Sequence, residues 1–276
     1  MKEPFVQKAN LYLTIPEWEV LDHRLVVGFS TRNGGHSHAP YDTLNFGLHV
    51  GDRDTHVMNN RKELGKELNI GMDDWVLGEQ VHQAVIQNVS EADKGSGVYS
   101  LDTSIANVDG LYTRSPNVLL ASVFADCVPV YFFAPKHGLI GIAHAGWKGT
   151  VATITAKMIE CWVEDELIPV SDIYVVIGPA ISKEAYEVDE RIITKIDEQL
   201  ASDERRPYKR TNHGTFQLDL KECNKRQLLK AGIKEEQIQI SSYCTATEKE
   251  LFFSHRREGG KKTGRMIGFI ALKNDE

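Results

Sequence analysis

The sequence predicts an α+β fold with mixed β-sheets in a single domain spanning residues 1–276. Three observations lead there. Short apolar runs rich in β-branched and aromatic residues follow one another through the centre of the chain, at 84–89, 108–112, 118–124, 128–133 and 139–143, and each has strand length. Five nearly consecutive strands do not fit the strict βαβ alternation of a Rossmann fold. Finally, 276 residues can bury a large core, and no break in composition, internal repeat or linker divides them.

Taken in order, residues 25–30 (Leu-Val-Val-Gly-Phe-Ser) read as a strand that runs into Thr31-Arg32-Asn33-Gly34-Gly35, a turn whose paired glycines permit positive φ. Residues 36–54 are rich in His, Gly, Asp and Asn and read as a long loop, a class of segment that is usually functional or mobile. A helix follows at 57–68 with Val57, Leu64 and Leu68 on one side. Gln80-Val81-His82 alternates polar and apolar residues, as a strand would, with Gln80 and His82 on one face. Beyond the central strands, Val151, Ile154, Met158, Ile159 and Trp162 recur at helical spacing, with Thr150 as the expected N-cap. A strand at 173–177 stops at Gly178-Pro179, helices are expected at 190–200 and 220–231, and a strand at 265–272 closes the chain.

The net charge of −7 disfavours general nucleic-acid binding but allows a locally basic pocket. Cys127, Cys161, Cys223 and Cys244 form no Cys-x-x-Cys pair, and a chain of this size does not need disulfides, so a cytoplasmic location is expected. The first eight residues carry no apolar signal core. The longest apolar stretch, 118–135, contains Asp126 and Pro129; a membrane helix tolerates these badly, and two strands meeting at a polar site is the better reading.

Three residues stand out for chemistry. Cys127 in Ala125-Asp126-Cys127-Val128-Pro129 and His144 in His144-Ala145-Gly146-Trp147 each end an apolar run, and His82 sits in Glu79-Gln80-Val81-His82. Together they offer one thiolate and two imidazoles to one metal ion, the kind of ligation that leaves a position for activated water. A cysteine is more often a small buried hydrophobe, but the adjacent Asp126 needs a hydrogen-bond donor or a ligand to orient. Gly146-Trp147-Lys148-Gly149-Thr150 fails the Walker A spacing, yet Lys148 and the backbone there suit an anion. Arg32, Arg61 and the pair Arg256-Arg257 are surface charges by default, and segments 254–258 and 263–265 form a locally basic patch. Overall acidity and the lack of interleaved aromatics weaken a nucleic-acid reading of that patch.

The set Thr31-Arg32-Asn33-Gly34-Gly35-His36-Ser37, Asn45-Phe46-Gly47, Asn60-Arg61, Gln80-Val81-His82, Ala125-Asp126-Cys127-Val128-Pro129, His144-Ala145-Gly146-Trp147-Lys148-Gly149, Ile177-Gly178-Pro179, Tyr186-Glu187-Val188, Ser254-His255-Arg256-Arg257 and Thr263-Gly264-Arg265 resembles the YfiH/YlmD-like family, once called multicopper polyphenol oxidase or laccase-domain proteins. The resemblance runs in order over nearly the whole chain and is strongest to the YlmD branch of Gram-positive bacteria. It implies a mixed β-sandwich flanked by helices. It also implies purine nucleoside phosphorylase activity on adenosine, inosine and methylthioadenosine, with adenosine deamination, and zinc held by His82, Cys127 and His144. Copper is the older assignment for the family. A laccase centre, however, needs several copper ions and many His ligands, and His36-Ser37-His38 is the only His-x-His pair.

Under this reading Asp126 is the candidate proton shuttle. Arg32, Arg61 and Lys148 are candidates for phosphate, and Asn45 and Gln80 for the base or ribose. The expected partners are small-molecule purine nucleosides and phosphate, with no nucleic acid and no membrane, in a monomer or homodimer. The rival readings are a metal-free hydrolase with Cys127 as nucleophile and His144 as base, and a non-catalytic partner protein using the basic C-terminal segments.

Overall fold

The computed structural model describes residues 2–201 and 203–275. Its strands, in chain order, are β1 Val6–Gln7, β2 Tyr12–Thr14, β3 Leu25–Ser30, β4 Trp75–Leu77, β5 Ile86–Asn88, β6 Gly110–Thr113, β7 Leu119–Phe124, β8 Val128–Ala134, β9 Leu139–Ala145, β10 Tyr174–Ile177, β11 Glu187–Val188, β12 Tyr208–Arg210, β13 Phe216–Leu218, β14 Ile238–Ile240 and β15 Met266–Leu272. The α-helices are α1 Pro16–Leu21, α2 Asp54–Leu68, α3 Trp147–Val151, α4 Ile154–Glu160, α5 Glu190–Asp197 and α6 Leu220–Lys230.

Two six-stranded sheets, β1-β2-β3-β15-β7-β4 and β14-β10-β8-β9-β6-β5, are joined by a small sheet β11-β13-β12. Both large sheets are mixed: β4–β7, β5–β6 and β10–β14 pair parallel, the remaining neighbours antiparallel. The two sheets face each other. Phe29, Leu120 and Ile270 of the first share a buried core with Leu111, Tyr131, Phe133, Ile140 and Ile142 of the second. The Tyr131 hydroxyl crosses the gap and donates to the Gly28 carbonyl at 2.8 Å. On the outer face of the first sheet, Leu64 and Leu68 of α2 pack with Trp75, Leu119 and Phe269. On the outer face of the second, Ile154 and Met158 of α4, Ile192 and Ile196 of α5 and Leu228 of α6 pack with Val130, Phe132 and Val175. The period-2 alternation of each central strand is what allows it to feed two cores at once. In β9, Ile140 and Ile142 point between the sheets, while Leu139, Ala143 and Ala145 point to the helices.

The apolar stretch 118–135 resolves into β7 and β8, which belong to different sheets. Only Ala125, Asp126 and Cys127 carry the chain across. So short a crossing forces Asp126 into the left-handed region at φ 86°, which aspartate tolerates better than most residues.

Two local expectations are corrected. Thr150 does not cap a helix over 150–162. It lies buried inside α3, where its hydroxyl accepts from Asn224 Nδ2 at 3.0 Å and its carbonyl from Gln227 Nε2 at 2.6 Å. α3 then breaks at Thr153, whose φ is 59°, before α4 begins. Gln80-Val81-His82 is a turn rather than a strand, and His82 sits at φ 62°.

The buried stripe of α2 carries polar residues among its apolar ones: Asn60 and Arg61 sit with Val57, Leu64 and Leu68. Asn60 accepts from the His36 N–H at 2.7 Å and donates to the Asn45 carbonyl at 2.7 Å. Arg61 donates to the Gly97 and Phe46 carbonyls, each at 2.9 Å, and to the Val98 carbonyl. These bonds hold the 36–54 loop against the sandwich.

Candidate active site

Cys127 ends the crossing between the sheets, and His144 stands near the end of β9, opposite Pro129 of β8. His144 follows Ile140 and Ile142 on the inter-sheet face, with its ring 5.4 Å from that of Phe124. Both side chains therefore meet at the mouth of the gap between the sheets. The turn at 80–83 delivers His82 to the same point, and its ring centroid lies 4.8 Å from that of His144. One ligand atom from each of His82, Cys127 and His144 lies within 4.8 Å of the others. It is the one such group of His, Cys and acidic residues among those described.

Asp109 organises this group, and nothing in the sequence singled it out. It is 1% exposed. Its Oδ1 lies 2.9 Å from His144 Nδ1 and accepts from the His82 N–H at 3.1 Å, while Oδ2 accepts from the N–H groups of Val81 and Gln83 at 3.2 and 2.7 Å. Its carbonyl accepts from the His144 N–H at 2.8 Å. One buried carboxylate thus bonds one imidazole and the backbone that presents the other. With Nδ1 bonded to a carboxylate, His144 has Nε2 left for Cys127 or a metal, the usual tautomer of a metal-ligating histidine.

Gly146 leaves the room the group needs. A Cβ there would sit 2.9 Å from Cys127 Sγ and 3.1 Å from His82 Cδ2.

Electrostatics favour a thiolate. Burial alone would push the Cys127 thiol up, but the His144 and His82 imidazoles more than offset it and bring it down to about 6. Burial would lower His144; the Cys127 thiolate and the Asp109 carboxylate raise it to about 9. Asp109 is held below its ordinary value: burial opposes this, and the hydrogen bond and charge of His144 with the donating N–H groups outweigh it.

A cavity of about 530 Å³ opens from the group. Gln80, Val81, His82, Cys127 and His144 line one side, and Leu48, His49, Arg61, Leu101, His255 and Arg265 line others. Of the residues expected from sequence to meet substrate, Arg61 and Gln80 reach this cavity. Gln80 is also committed to Val123, donating to its carbonyl at 2.9 Å and accepting from its N–H at 2.8 Å, as a strand neighbour would.

Arg32, Asn45 and Lys148 are not among the lining residues. Arg32 is held by the Asp42 and Lys249 carbonyls beneath the Phe253 ring. Asn45 is fully buried and bonded to Gly47, Asp52 and Arg265. Lys148 is exposed near Trp147. Asp126 is not among the lining residues either. Its two oxygens accept from Thr245 Oγ1 and the Arg256 N–H, each at 2.7 Å. The two arginines of the basic segment 254–258 are bonded within the chain: Arg256 reaches the Glu187 carbonyl, and Arg257 the Thr245 and Phe252 carbonyls.

Two imidazoles and a thiolate suit zinc or copper, and three protein ligands is the number that leaves a coordination position for a reactant. The four cysteines are free. Among the described residues, no helix is long and apolar enough to cross a membrane.

A two-sheet sandwich with this His-Cys-His group at its mouth defines a class, and residues 26–273 match the family described as multi-copper polyphenol oxidoreductase laccase. The chain belongs to that family. It is 48% identical over 250 residues, 91% of each chain, to a Geobacillus stearothermophilus protein named purine nucleoside phosphorylase YlmD. It is 42% identical over 278 residues, 98% of each chain, to the Bacillus subtilis protein of the same name. The crystal structure of YlmD from Geobacillus stearothermophilus superposes with a TM-score of 0.95 at 45% identity, covering 99% of this chain and 100% of that one.

Proposed function

We propose that this chain is a purine nucleoside phosphorylase that cleaves adenosine, inosine and methylthioadenosine with phosphate, and that it also deaminates adenosine with zinc held by His82, Cys127 and His144. The observation that carries the reading is a metal-competent thiolate and two imidazoles opening into a cavity of about 530 Å³, in a chain 48% identical to a named phosphorylase. That volume lies in the range of about 300–1,000 Å³ typical of small-molecule sites. We place the protein in the cytoplasm, in keeping with four free cysteines.

In phosphorolysis, a phosphate oxygen bonds to the ribose C1′ as the C1′–N9 bond breaks. The bonding pair leaves with the purine, which takes up one proton. The chain must hold the phosphate anion and keep the ribose in line with it. In deamination, water oxygen bonds to purine C6 and the exocyclic C6–N6 bond breaks; one water proton goes to the departing nitrogen, which leaves as ammonia, and the other to ring N1. Zinc, when bound, would make water nucleophilic near neutral pH. Asp109 fixes the His144 ring and the His82 turn. Gln80, Val81 and Leu101 shape the wall that faces a nucleoside. Proton traffic falls to groups on the cavity wall, of which Glu79 and His255 are available. Asp126 is spent on Thr245 and Arg256.

The family description names copper, but a multicopper centre needs several ligand sets, and one group of described residues has metal spacing. The test is a paired assay. Inosine should yield hypoxanthine and ribose 1-phosphate only when phosphate is present, and adenosine without phosphate should still release ammonia. Free ribose formed without phosphate, or phenol oxidation with no nucleoside turnover, would overturn the assignment.

A further inference from the structure

Two arginines line the cavity without a directly paired carboxylate among the described residues, the charges of Cys127 and Asp126 acting on Arg265 only from beyond contact distance. Arg61 is 2% exposed. Its terminal nitrogens reach the Gly97, Val98 and Phe46 carbonyls, and its buried Nε has no partner. Arg265 donates through Nη1 to the Thr263 and Gly264 carbonyls at 2.9 and 3.0 Å, which leaves Nε and Nη2 uncommitted among the described residues. No carboxylate oxygen of the described residues lies within 4.0 Å of either guanidinium. Arg32, by contrast, is paired with Asp42. Burying a cation without an anion is costly, and a guanidinium presents its donors in a fork that matches an oxyanion.

One short segment places both side chains. The Phe46 carbonyl accepts from Arg61 at 2.9 Å, and the Phe46 N–H donates to the Arg265 carbonyl at 3.0 Å. Asn45 Oδ1 accepts from the N–H groups of Gly47 and Arg265 at 3.0 and 2.9 Å. A Cβ on Gly47 would sit 2.8 Å from Arg265 Cγ. The motif Asn45-Phe46-Gly47 therefore threads between the two arginines and sets the path of the second. His49, two residues on, also lines the cavity. It is held well below its ordinary value, at about 4, by burial first and then by the charges of Arg265, His82 and Arg61.

We infer that Arg265, with Arg61 behind it and His49 beside it, forms the phosphate subsite, and that Asn45-Phe46-Gly47 is the backbone that aims it. This rests on the phosphorylase reading and assigns the anion to an arginine that the sequence shows only as part of a basic patch.

The test uses the full-length protein and inorganic phosphate, followed by phosphorus NMR line broadening and by the phosphate KM with inosine. Arg265→Ala should weaken phosphate in both measurements by about tenfold or more, the loss of a charge-assisted fork, and move the inosine KM far less. Arg265→Lys should recover part of the loss. Gly47→Ala, which crowds Arg265 without removing it, should weaken phosphate in the same direction and serves if Arg265→Ala does not fold. Arg32→Ala and Lys148→Ala should leave phosphate binding unchanged. The inference is overturned if Arg265→Ala and Gly47→Ala leave phosphate affinity intact, if Arg32→Ala or Lys148→Ala abolishes it, or if adenosine 5′-monophosphate binds while inorganic phosphate does not. Phosphorolysis whose phosphate KM ignores Arg265 would sink the subsite and spare the phosphorylase reading. Arg265-dependent phosphate binding without phosphorolysis would do the reverse.

Discussion

Asp109 and Asp126 are both nearly sealed from solvent, at 1% and 7% exposure, and each sits beside a member of the His-Cys-His group: Asp109 bonded to His144 and Asp126 next to Cys127 in the chain. Asp126 is next to the cysteine in sequence, yet its oxygens bond Thr245 and the Arg256 N–H and it does not line the cavity. Asp109 is far from both partners in sequence, yet it bonds the His144 ring and the three successive N–H groups that turn His82 inward. The first carboxylate stabilises a left-handed crossing between two sheets. The second aligns two imidazoles before any ion arrives. A charged neighbour along the chain is thus a poor guide to what a buried carboxylate does, because its donors come from whichever elements pack on it.

This contrast can be broken by substitution. Cys127→Ala should have the largest effect: metal content and ammonia release from adenosine should both vanish, while circular dichroism and Tm stay near wild type, since Cys127 is only a partly buried neighbour of the inter-sheet core. A variant that unfolds would instead make the ion part of the fold. Asp109→Asn comes next. It should lower metal affinity by about 10–100-fold, the usual cost of losing the partner of a ligating histidine, measured by titrating cobalt and following its thiolate absorption. A lower Tm with unchanged affinity would reduce Asp109 to a structural role.

Gly146→Ala should weaken the metal by a smaller factor, because its Cβ would press on Cys127 Sγ and His82 Cδ2, at an overpacking cost of about 1–3 kcal/mol. Asp126→Asn should have the smallest effect on the site. Metal affinity should hold, while stability falls by about 1–3 kcal/mol as charge-assisted bonds to a buried carboxylate are lost. If Asp126→Asn and Asp109→Asn lost metal equally, the distinction between the two carboxylates would fail.

The central strands were legible because their apolar alternation feeds two cores, and 25–30 matches β3 residue for residue. Strands of two or three residues, such as β1, β2 and β11 to β13, are too short to show a period. The helical pattern through Val151 and Trp162 continued across the break at Thr153, since a left-handed residue changes the axis without changing side-chain spacing. His82, Cys127 and His144 were legible as donors of the right kind, and the structure brings them together. Asp109 was not, because most of its partners are backbone N–H groups, which leave no trace in a sequence. Arg265 and His49 were hidden for a related reason: a basic run and a polar loop look solvated until the fold shows which members turn inward. Arg32, Asn45 and Lys148 shared motifs with the site but are spent on structure or left at the surface.

The proposed chemistry depends on one ion held by one thiolate and two imidazoles. Elemental analysis of the wild-type protein, purified without chelators or added metal, tests this most directly. The expected result is about one zinc per chain, as for a three-ligand site with an open position. No bound metal in an active preparation, or several copper ions per chain, would contradict it.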